Sequence, residues 1–470
     1  LFAITGTTEA APLPLSNWIA SFVEDGVDLE HEYPMRRLLY ITPYFPPQTK
    51  VGALRPLKFV RHLHGYGWEA VVLCDLKKGD TVDQLLLDAV PERTEVHCTY
   101  SIAGPKNRAR AFAPRATSDS PPKSAKKSAF SQLPEKLGWS PEFVPLGAHR
   151  LDMPAAKRAG RVLLKARKFD AIMVNADPYA SMLVGDALGQ EFGLPVIQDL
   201  RDPWSVCDLR RQSRPGPQRR WVDKTERGLV ERCRAMVLNS EATVAAYRDH
   251  YSDLDPSRFA CIRNHGDAEL IAGAQDRIAA SSLSGAEGPF QVLFLGNFRR
   301  FLQGDALMQA FALLKERGKG ADDLVLLVTG KITDEARELA ASIGVADMLV
   351  DADFIPYTRI GPAMANADLL VALSNASRMR IPAKFYDYAT SSRPILVVAD
   401  PAHDELRRMT ESLDGAAFAD IGSPSEIAAS IAEVMTAGSR VFDRSSAGLD
   451  SRSATARLAA VLDRVAGQSA

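Results

Sequence analysis

Cysteine is scarce and poorly spaced for chemistry: Cys74, Cys98, Cys207, Cys233 and Cys261 are scattered over 470 residues with no C-x-x-C pair. An odd count without ligand spacing excludes a disulfide framework or zinc site and points to a reducing compartment. The eight histidines form neither H-x-x-x-H nor H-E-x-x-H, so metal-hydrolase chemistry has no support, and no metal ligands are expected. No apolar run approaches the eighteen residues of a membrane-crossing helix. Residues 1–14 lack a basic n-region, so the start does not read as a signal peptide. Neither G-x-G-x-x-G nor G-x-x-x-x-G-K-[ST] occurs, which disfavours a nicotinamide-binding domain and removes P-loop NTPases. Charge of one sign is also missing overall: Lys plus Arg is 57 against 58 for Asp plus Glu, a net of −1. That balance, with few aromatics among the bases, argues against a nucleic-acid partner.

The neutral average conceals segregation. Residues 1–34 hold six acids and no Lys or Arg, a net of −6. Residues 106–170 hold fifteen bases against five acids, a net of +10. Overlapping them, 102–140 is rich in Pro, Ser, Ala and Lys and reads as a long basic loop, while AAKRAGRVLLKARKF (155–169) can be drawn as a basic amphipathic helix. An anionic membrane surface would attract this stretch, each base contributing about 1 kcal/mol. A solvated loop and a core-packed helix are the competing reading.

The length predicts two or three domains. From Arg37 onward, short continuous apolar runs alternate with amphipathic stretches, the signature of strands buried between helices in a parallel sheet. RLLYIT (37–42), EAVVLC (69–74), AIMVN (171–175), PVIQDL (195–200), AMVLNS (235–240) and FACIR (259–263) form a first series. QVLFLG (291–296), DLVLLVTG (323–330), MLVDADF (348–354), ADLLVAL (367–373) and RPILVVA (393–399) form a second. The fold class expected is therefore α/β, with two doubly wound Rossmann-like domains. The expected boundaries are an acidic leader of unassigned role (1–34), a first domain (35–267), a linker (268–289), a second domain (290–445) and a terminal helix (446–470) placed to cross back.

Ligands of open α/β sheets bind beyond the carboxyl ends of the strands, so residues just after strands are the informative ones. Gly52 follows the first strand and opens a helix carrying Arg55. Asp177 follows the strand at 171–175, and Asp199, Arg201 and Asp202 close the next. Gly296, Asn297, Arg299 and Arg300 follow the first strand of the second series. Ser374, Asn375 and Arg378 precede a helix bearing Lys384 and Asp387. For each, a plain turn, helix cap or surface ion pair stands as the alternative.

Four segments, in order, carry a resemblance. ITPYFPPQTKVGALRPLKFVRHLHGYGWEAVVLC (41–74) resembles the opening of the family 4 glycosyltransferases. VIQDLRDPWS (196–205) resembles the Asp-x-Arg-Asp-Pro-Trp segment of their bacterial surface-polysaccharide members. The run from Thr225 to Asp267 resembles the close of their first domain, and IPAKFYDYATSSRPILVVA (381–399) their donor-site helix. The resemblance spans roughly 36–440. It implies the GT-B architecture, two Rossmann-like domains facing across a cleft. It further implies a retaining, metal-independent hexosyltransferase that needs no cofactor beyond its nucleotide diphosphate sugar donor.

On that resemblance the donor contacts are Gly52, Gly296, Asn297, Arg299, Arg300, Ser374, Arg378 and Lys384, with Asp387 at the ribose. Asp177 or Asp199 stands near the reacting hydroxyl, with Arg201 and Asp202 at the acceptor. The implied acceptor is a glycan, often lipid-linked, in cell-surface polysaccharide synthesis at the cytoplasmic face of the membrane. The sequence departs from the family pattern at Met379, where a Glu is usual, at Gln303, where a Lys is usual, and in lacking a His at the end of AIMVN. A nucleotide-sugar epimerase of the same fold and a catalytically weak nucleotide- or glycan-binding partner are the alternatives.

Overall fold

The chain folds as two parallel sheets, each wrapped by helices, inside the unit Arg36–Ala470. The computed structural model describes residues 35–75, 83–99, 146, 149–150, 152–176, 178–207, 216–272, 288–299, 304–352, 354–374, 377–438 and 440–467. The acidic leader, the basic segment 102–140, Asp177, Arg300, Gln303, Asn375 and most of the expected linker lie outside the described residues.

In the first half the strands are β1 (Arg36–Ile41), β2 (Trp68–Asp75), β3 (Glu95–Thr99), β4 (Ala171–Ala176), β5 (Val196–Leu200), β6 (Ala235–Leu238) and β7 (Phe259–Cys261). They pair in the order β3-β2-β1-β4-β5-β6-β7, all parallel. Helices α1 (Leu54–Leu63), α2 (Gln84–Asp88), α3 (Met153–Ala166), α4 (Ala180–Phe192), α5 (Gly216–Arg232), α6 (Glu241–His250) and α7 (Ala268–Ile271) connect and cover them. The central strands are buried from end to end (LLYI, AIMVNA and VIQDL), which is why they read as unbroken apolar runs.

The second half repeats the plan. Its strands are β8 (Phe290–Phe294), β9 (Leu324–Val328), β10 (Leu349–Asp351), β11 (Leu369–Leu373), β12 (Ile395–Ala399) and β13 (Ala416–Asp420), in the parallel order β10-β9-β8-β11-β12-β13. Helices α8 (Gly304–Glu316), α9 (Asp334–Ser342), α10 (Ile360–Asn366), α11 (Ala383–Ala389), α12 (Asp404–Glu411) and α13 (Pro424–Ala437) surround it. The strand expected over 348–354 is shorter than its apolar letters suggest. It ends at Asp351, and Phe354 belongs to a loop.

The last helix, α14 (Ser451–Gly467), packs on the first half. Ala454, Leu458, Leu462 and Val465, spaced for one helical face, share a core with Leu57 and Phe59 of α1. Asp463 accepts a hydrogen bond from Trp68 Nε1 at 2.9 Å and pairs with Arg36 at 2.8 Å. At its start, Ser451 Oγ donates to the Gly266 carbonyl at 2.8 Å. A methyl group on Gly266 would meet the Tyr386 carbonyl oxygen at 2.4 Å, so the absent side chain lets α11 of the second half approach.

Asp267, next to that contact, caps α7 by accepting from Leu270 N at 2.9 Å. It also meets Arg61 and His62 of α1, each at 3.2 Å. Burial alone would raise its carboxyl, but the His62 hydrogen bond and the Arg61 charge outweigh burial and hold it well below the usual range. A depressed carboxylate stabilises the fold above its unfolded-state pKa, about 3.9, and that contribution fades as pH falls below it. Urea unfolding should therefore show Asp267→Asn clearly less stable than wild type at pH 7, with the gap closing as pH drops below 4. A gap independent of pH would contradict this assignment.

Candidate functional site

The carboxyl ends of the two sheets face one cleft of about 660 Å³. Its first wall begins with α1. After β1 the chain turns through a 3-10 turn (Val51–Ala53) into this helix, where Arg55 and Lys58, one turn apart, are both buried. Gly52 sits in the turn. A methyl there would lie 2.5 Å from the Tyr44 ring and 3.0 Å from the Arg201 guanidinium, so its bareness serves packing beneath the cleft.

Arg55 holds Asp199 at 2.8 Å and also donates to the carbonyls of Ile262 and Arg263 at 2.8 and 2.9 Å. Asn175 Nδ2 donates to the other Asp199 oxygen at 2.7 Å. Asp199 is fully buried, and these partners occupy its carboxylate. The structure thus gives Asp199 a positioning role: it fixes the end of β5 against α1 and is not exposed to take a proton from a ligand.

Lys58 crosses to the other wall. Its ammonium donates to the His265 carbonyl at 2.5 Å and meets Asp387 Oδ1 at 3.2 Å. The Tyr357 hydroxyl donates to the same oxygen at 2.5 Å, and Lys384 stands 3.6 Å from Oδ2. Burial, then the Asp387 charge, pushes the Tyr357 hydroxyl well up, so it stays a donor. Both ammonium groups lie over the Tyr357 ring, at 5.3 and 5.1 Å. His265 is buried, and burial together with Lys58 and Arg55 pushes its pKa well down, leaving a neutral imidazole between two cations.

Three further groups of contacts join the halves. Arg380 pairs with Asp202 at 3.0 Å. Ser240 and Thr243 at the start of α6 donate to the Met379 carbonyl at 3.0 and 3.3 Å. Glu405 accepts from the first two N–H groups of α6, Glu241 and Ala242, at 2.9 and 3.0 Å, and pairs with Arg263 at 3.0 Å.

On the second wall, Gly296 has φ 137°, a backbone conformation that favours glycine. The Tyr388 hydroxyl of α11 accepts from the preceding Leu295 N at 3.0 Å, tying this loop to the helix that carries Lys384 and Asp387. Asn297 Oδ1 accepts from Lys331 N at 3.0 Å, so the loops after β8 and β9 are stitched together. Gly296, Asn297, Arg299, Ser374, Lys384 and Asp387 all line the cleft, as do Arg201 and Asp202 opposite. Gly52 and Arg378 are not among the lining residues; Arg378 is exposed on the loop before α11.

The segment Arg201–Ser205 is held from beneath. Trp204 stacks on Tyr179 at 4.8 Å, and the buried Glu226 carboxylate accepts from Ser205 N at 3.0 Å and from Tyr247 at 2.5 Å.

Sequence reasoning missed Lys58, Tyr357, Arg380 and Glu405. Lys58, Arg380 and Glu405 are unremarkable surface-type residues until the opposite half supplies the partner, and Tyr357 until Asp387 of its own half does. It also missed Gly330, where a methyl would meet the Gly296 carbonyl oxygen at 2.4 Å. The Thr-Gly pair ending a strand-like run was the available signal. Among the described residues no helix is long and apolar enough to cross a membrane.

Residues 53–265 match the family described as Glycosyl transferase 4-like domain. A curated relative, D-inositol 3-phosphate glycosyltransferase of Arthrobacter sp. (strain FB24), is 21% identical over 202 residues, 42% of this chain and 48% of that protein. The match thus spans about half the length of that relative. Similar solved structures include sucrose-phosphate synthase from Thermosynechococcus elongatus (TM-score 0.56, 14% identity, 92% of this chain and 97% of the other). Anabaena HepE in complex with UDP and glucose gives TM-score 0.57 at 13% identity, over 91% of this chain and 100% of the other. A trehalose-phosphate synthase from Burkholderia xenovorans in complex with glucose-6-phosphate gives 0.55 at 11%, over 91% and 100%. At these identities the likeness concerns the fold, and the fold is GT-B.

Gly330→Ala should separate the stitched loops and cost about 1–3 kcal/mol, as overpacked cores do. Gly320→Ala, with nothing within 4 Å of the added methyl, is the control. Thermal unfolding that ranks the two variants equal would contradict the packing described for the β8 and β9 loops.

Proposed function

We propose, on the match of residues 53–265 to the family described as Glycosyl transferase 4-like domain, that the protein is a glycosyltransferase moving a sugar from a nucleoside diphosphate sugar to an acceptor hydroxyl. The observation that carries this reading is the cleft itself. One wall presents Gly296, Asn297, Arg299, Lys384 and Asp387, and the other Arg201 and Asp202. HepE was solved with UDP, which supports a nucleoside diphosphate as the donor's carrier. The inositol phosphate relative and the glucose-6-phosphate complex support a hydroxylated, anionic acceptor.

Transfer leaves a diphosphate carrying the charge of the broken bond. Arg299 and Lys384 stabilise it without a metal. Asp387 accepts from the ribose hydroxyls through the oxygen facing Lys384, since Lys58 and Tyr357 hold the other. With Asp199 sequestered, the base is supplied by the reaction. In a retaining transfer the acceptor approaches the face from which the diphosphate departs. The bond from sugar C1 to the phosphate oxygen breaks, the bond from C1 to the acceptor oxygen forms, and the acceptor proton passes to the departing diphosphate oxygen.

The acceptor proposed is a glycan or lipid-linked sugar of a cell-surface polysaccharide. The protein would work at the cytoplasmic face of the membrane. Helix α3 supports this with Lys157, Arg158, Arg161 and Lys165 and an exposed Val162, although Arg161 already pairs with Glu191 at 2.7 Å.

Incubation with a panel of nucleoside diphosphate sugars and membrane lipid extract should release a nucleoside diphosphate and glycosylate the lipid fraction. Arg299→Ala should cut that rate at least 100-fold, about 2.7 kcal/mol of transition-state stabilisation. Epimerised donor without acceptor product, or nucleotide binding without release, would overturn the transferase reading. Full activity in Arg299→Ala would remove the diphosphate assignment.

A further inference from the structure

Cys74, near the end of β2, and Cys98, on the edge strand β3, are register partners in the first sheet. Register partners on adjacent parallel strands point to the same face, and both thiols pack in the core that α1 and α14 share. Their sulfurs lie 3.0 Å apart as a hydrogen-bonded thiol pair. Neighbouring strands are about 4.8 Å apart, within the roughly 4.4–6.8 Å that a disulfide spans between Cα atoms. We propose that Cys74 and Cys98 form a reversible disulfide by exchange with small-molecule disulfides such as glutathione disulfide, independently of the activity of the cleft.

The two sulfurs divide the work of exchange. Cys74 is 3% exposed, whereas Cys98 is half-buried on a strand with a neighbour on one side only. The hydrogen bond from Cys74 holds the Cys98 thiol below its ordinary value, against burial and the Asp75 charge, and the same bond, with burial, pushes Cys74 well up. Cys98 is therefore the attacking thiolate and Cys74 the resolving thiol. Cys98 Sγ bonds to one sulfur of the incoming disulfide, whose S–S bond breaks and releases the first glutathione thiolate. Cys74 then gives up its proton and bonds to Cys98 Sγ, expelling the second. Two protein thiols are oxidised, one small disulfide is reduced to two thiols, and these carry away both protons. Cys261 is also half-buried, but burial pushes its thiol up to about 11 and leaves it the poorer nucleophile. The bridge staples an edge strand to its sheet and encloses α2. A bond that opens and closes with the thiol pool suits a reducing compartment, where disulfides are transient.

The test incubates the folded full chain with glutathione disulfide and traps the remaining thiols with iodoacetamide in denaturant. Intact mass and a non-reducing peptide map give the readout. Wild type should lose two of its five free thiols, join the Cys74 and Cys98 peptides, and recover all five in dithiothreitol. Cys74→Ala should stop with one glutathione on Cys98, and Cys98→Ala should leave Cys74 unmodified. Cys261→Ser should form the bridge as wild type does. Should the buried Cys74→Ala fail to fold, the wild-type map and the half-buried Cys98→Ala still decide. A wild type that keeps all five thiols overturns the proposal, as does a stable mixed disulfide on Cys98 in wild type. A bridge to any other cysteine, or one that forms only in urea, also overturns it.

Discussion

Lys58 and Asp387 come from different halves, and their side chains are only 7% and 4% exposed. Two charges taken from water must find each other and further hydrogen bonds, because either one left alone costs several kcal/mol. Lys58 has the His265 carbonyl as a second partner, and Asp387 has Tyr357. Much of the surrounding structure serves to make that meeting possible. Gly266 has no side chain, so the backbone of α11 can come close. Glu405 docks on the start of α6, and α14 straps the end of the second half onto α1. The width of the cleft follows from these contacts.

The same arrangement explains how the site can be charged and still folded. Arg55 and Lys58 occupy one helical turn. Arg55 is neutralised within its own half by Asp199, while Lys58 is neutralised across the cleft. Asp387 therefore has two duties in the proposed reading, joining the halves through one oxygen and receiving the ribose at the other. Arg299 is exposed at the rim of the same cleft, where a departing diphosphate would need it.

The doubled α/β plan was legible because the central strands are buried on both faces and so spell continuous apolar runs. Two of the four edge strands were not. β3 is half-exposed along its whole length, and β13 is alanine-rich, so neither shows the pattern of a buried strand. That Gly296 and Arg299 would line the cleft was legible because the loops at strand ends meet there in this architecture. The pairing of Asp199 with Arg55 and Asn175 was not legible, because a carboxylate after a strand looks the same in sequence whether free or paired. The departure at Met379 has a physical counterpart: its main-chain carbonyl, which any residue supplies, receives Ser240 and Thr243 across the cleft. Lys58 could not be found, since its partner lies 329 positions away.

The central claim, that a cross-cleft ion pair holds the two halves in register, is tested most directly by a double-mutant cycle in urea unfolding. Lys58→Met and Asp387→Asn should each destabilise the protein by about 3–5 kcal/mol. The double variant should lose less than the sum, with a coupling energy of about 1–3 kcal/mol. Strictly additive losses would mean the two residues act independently, and would contradict the account.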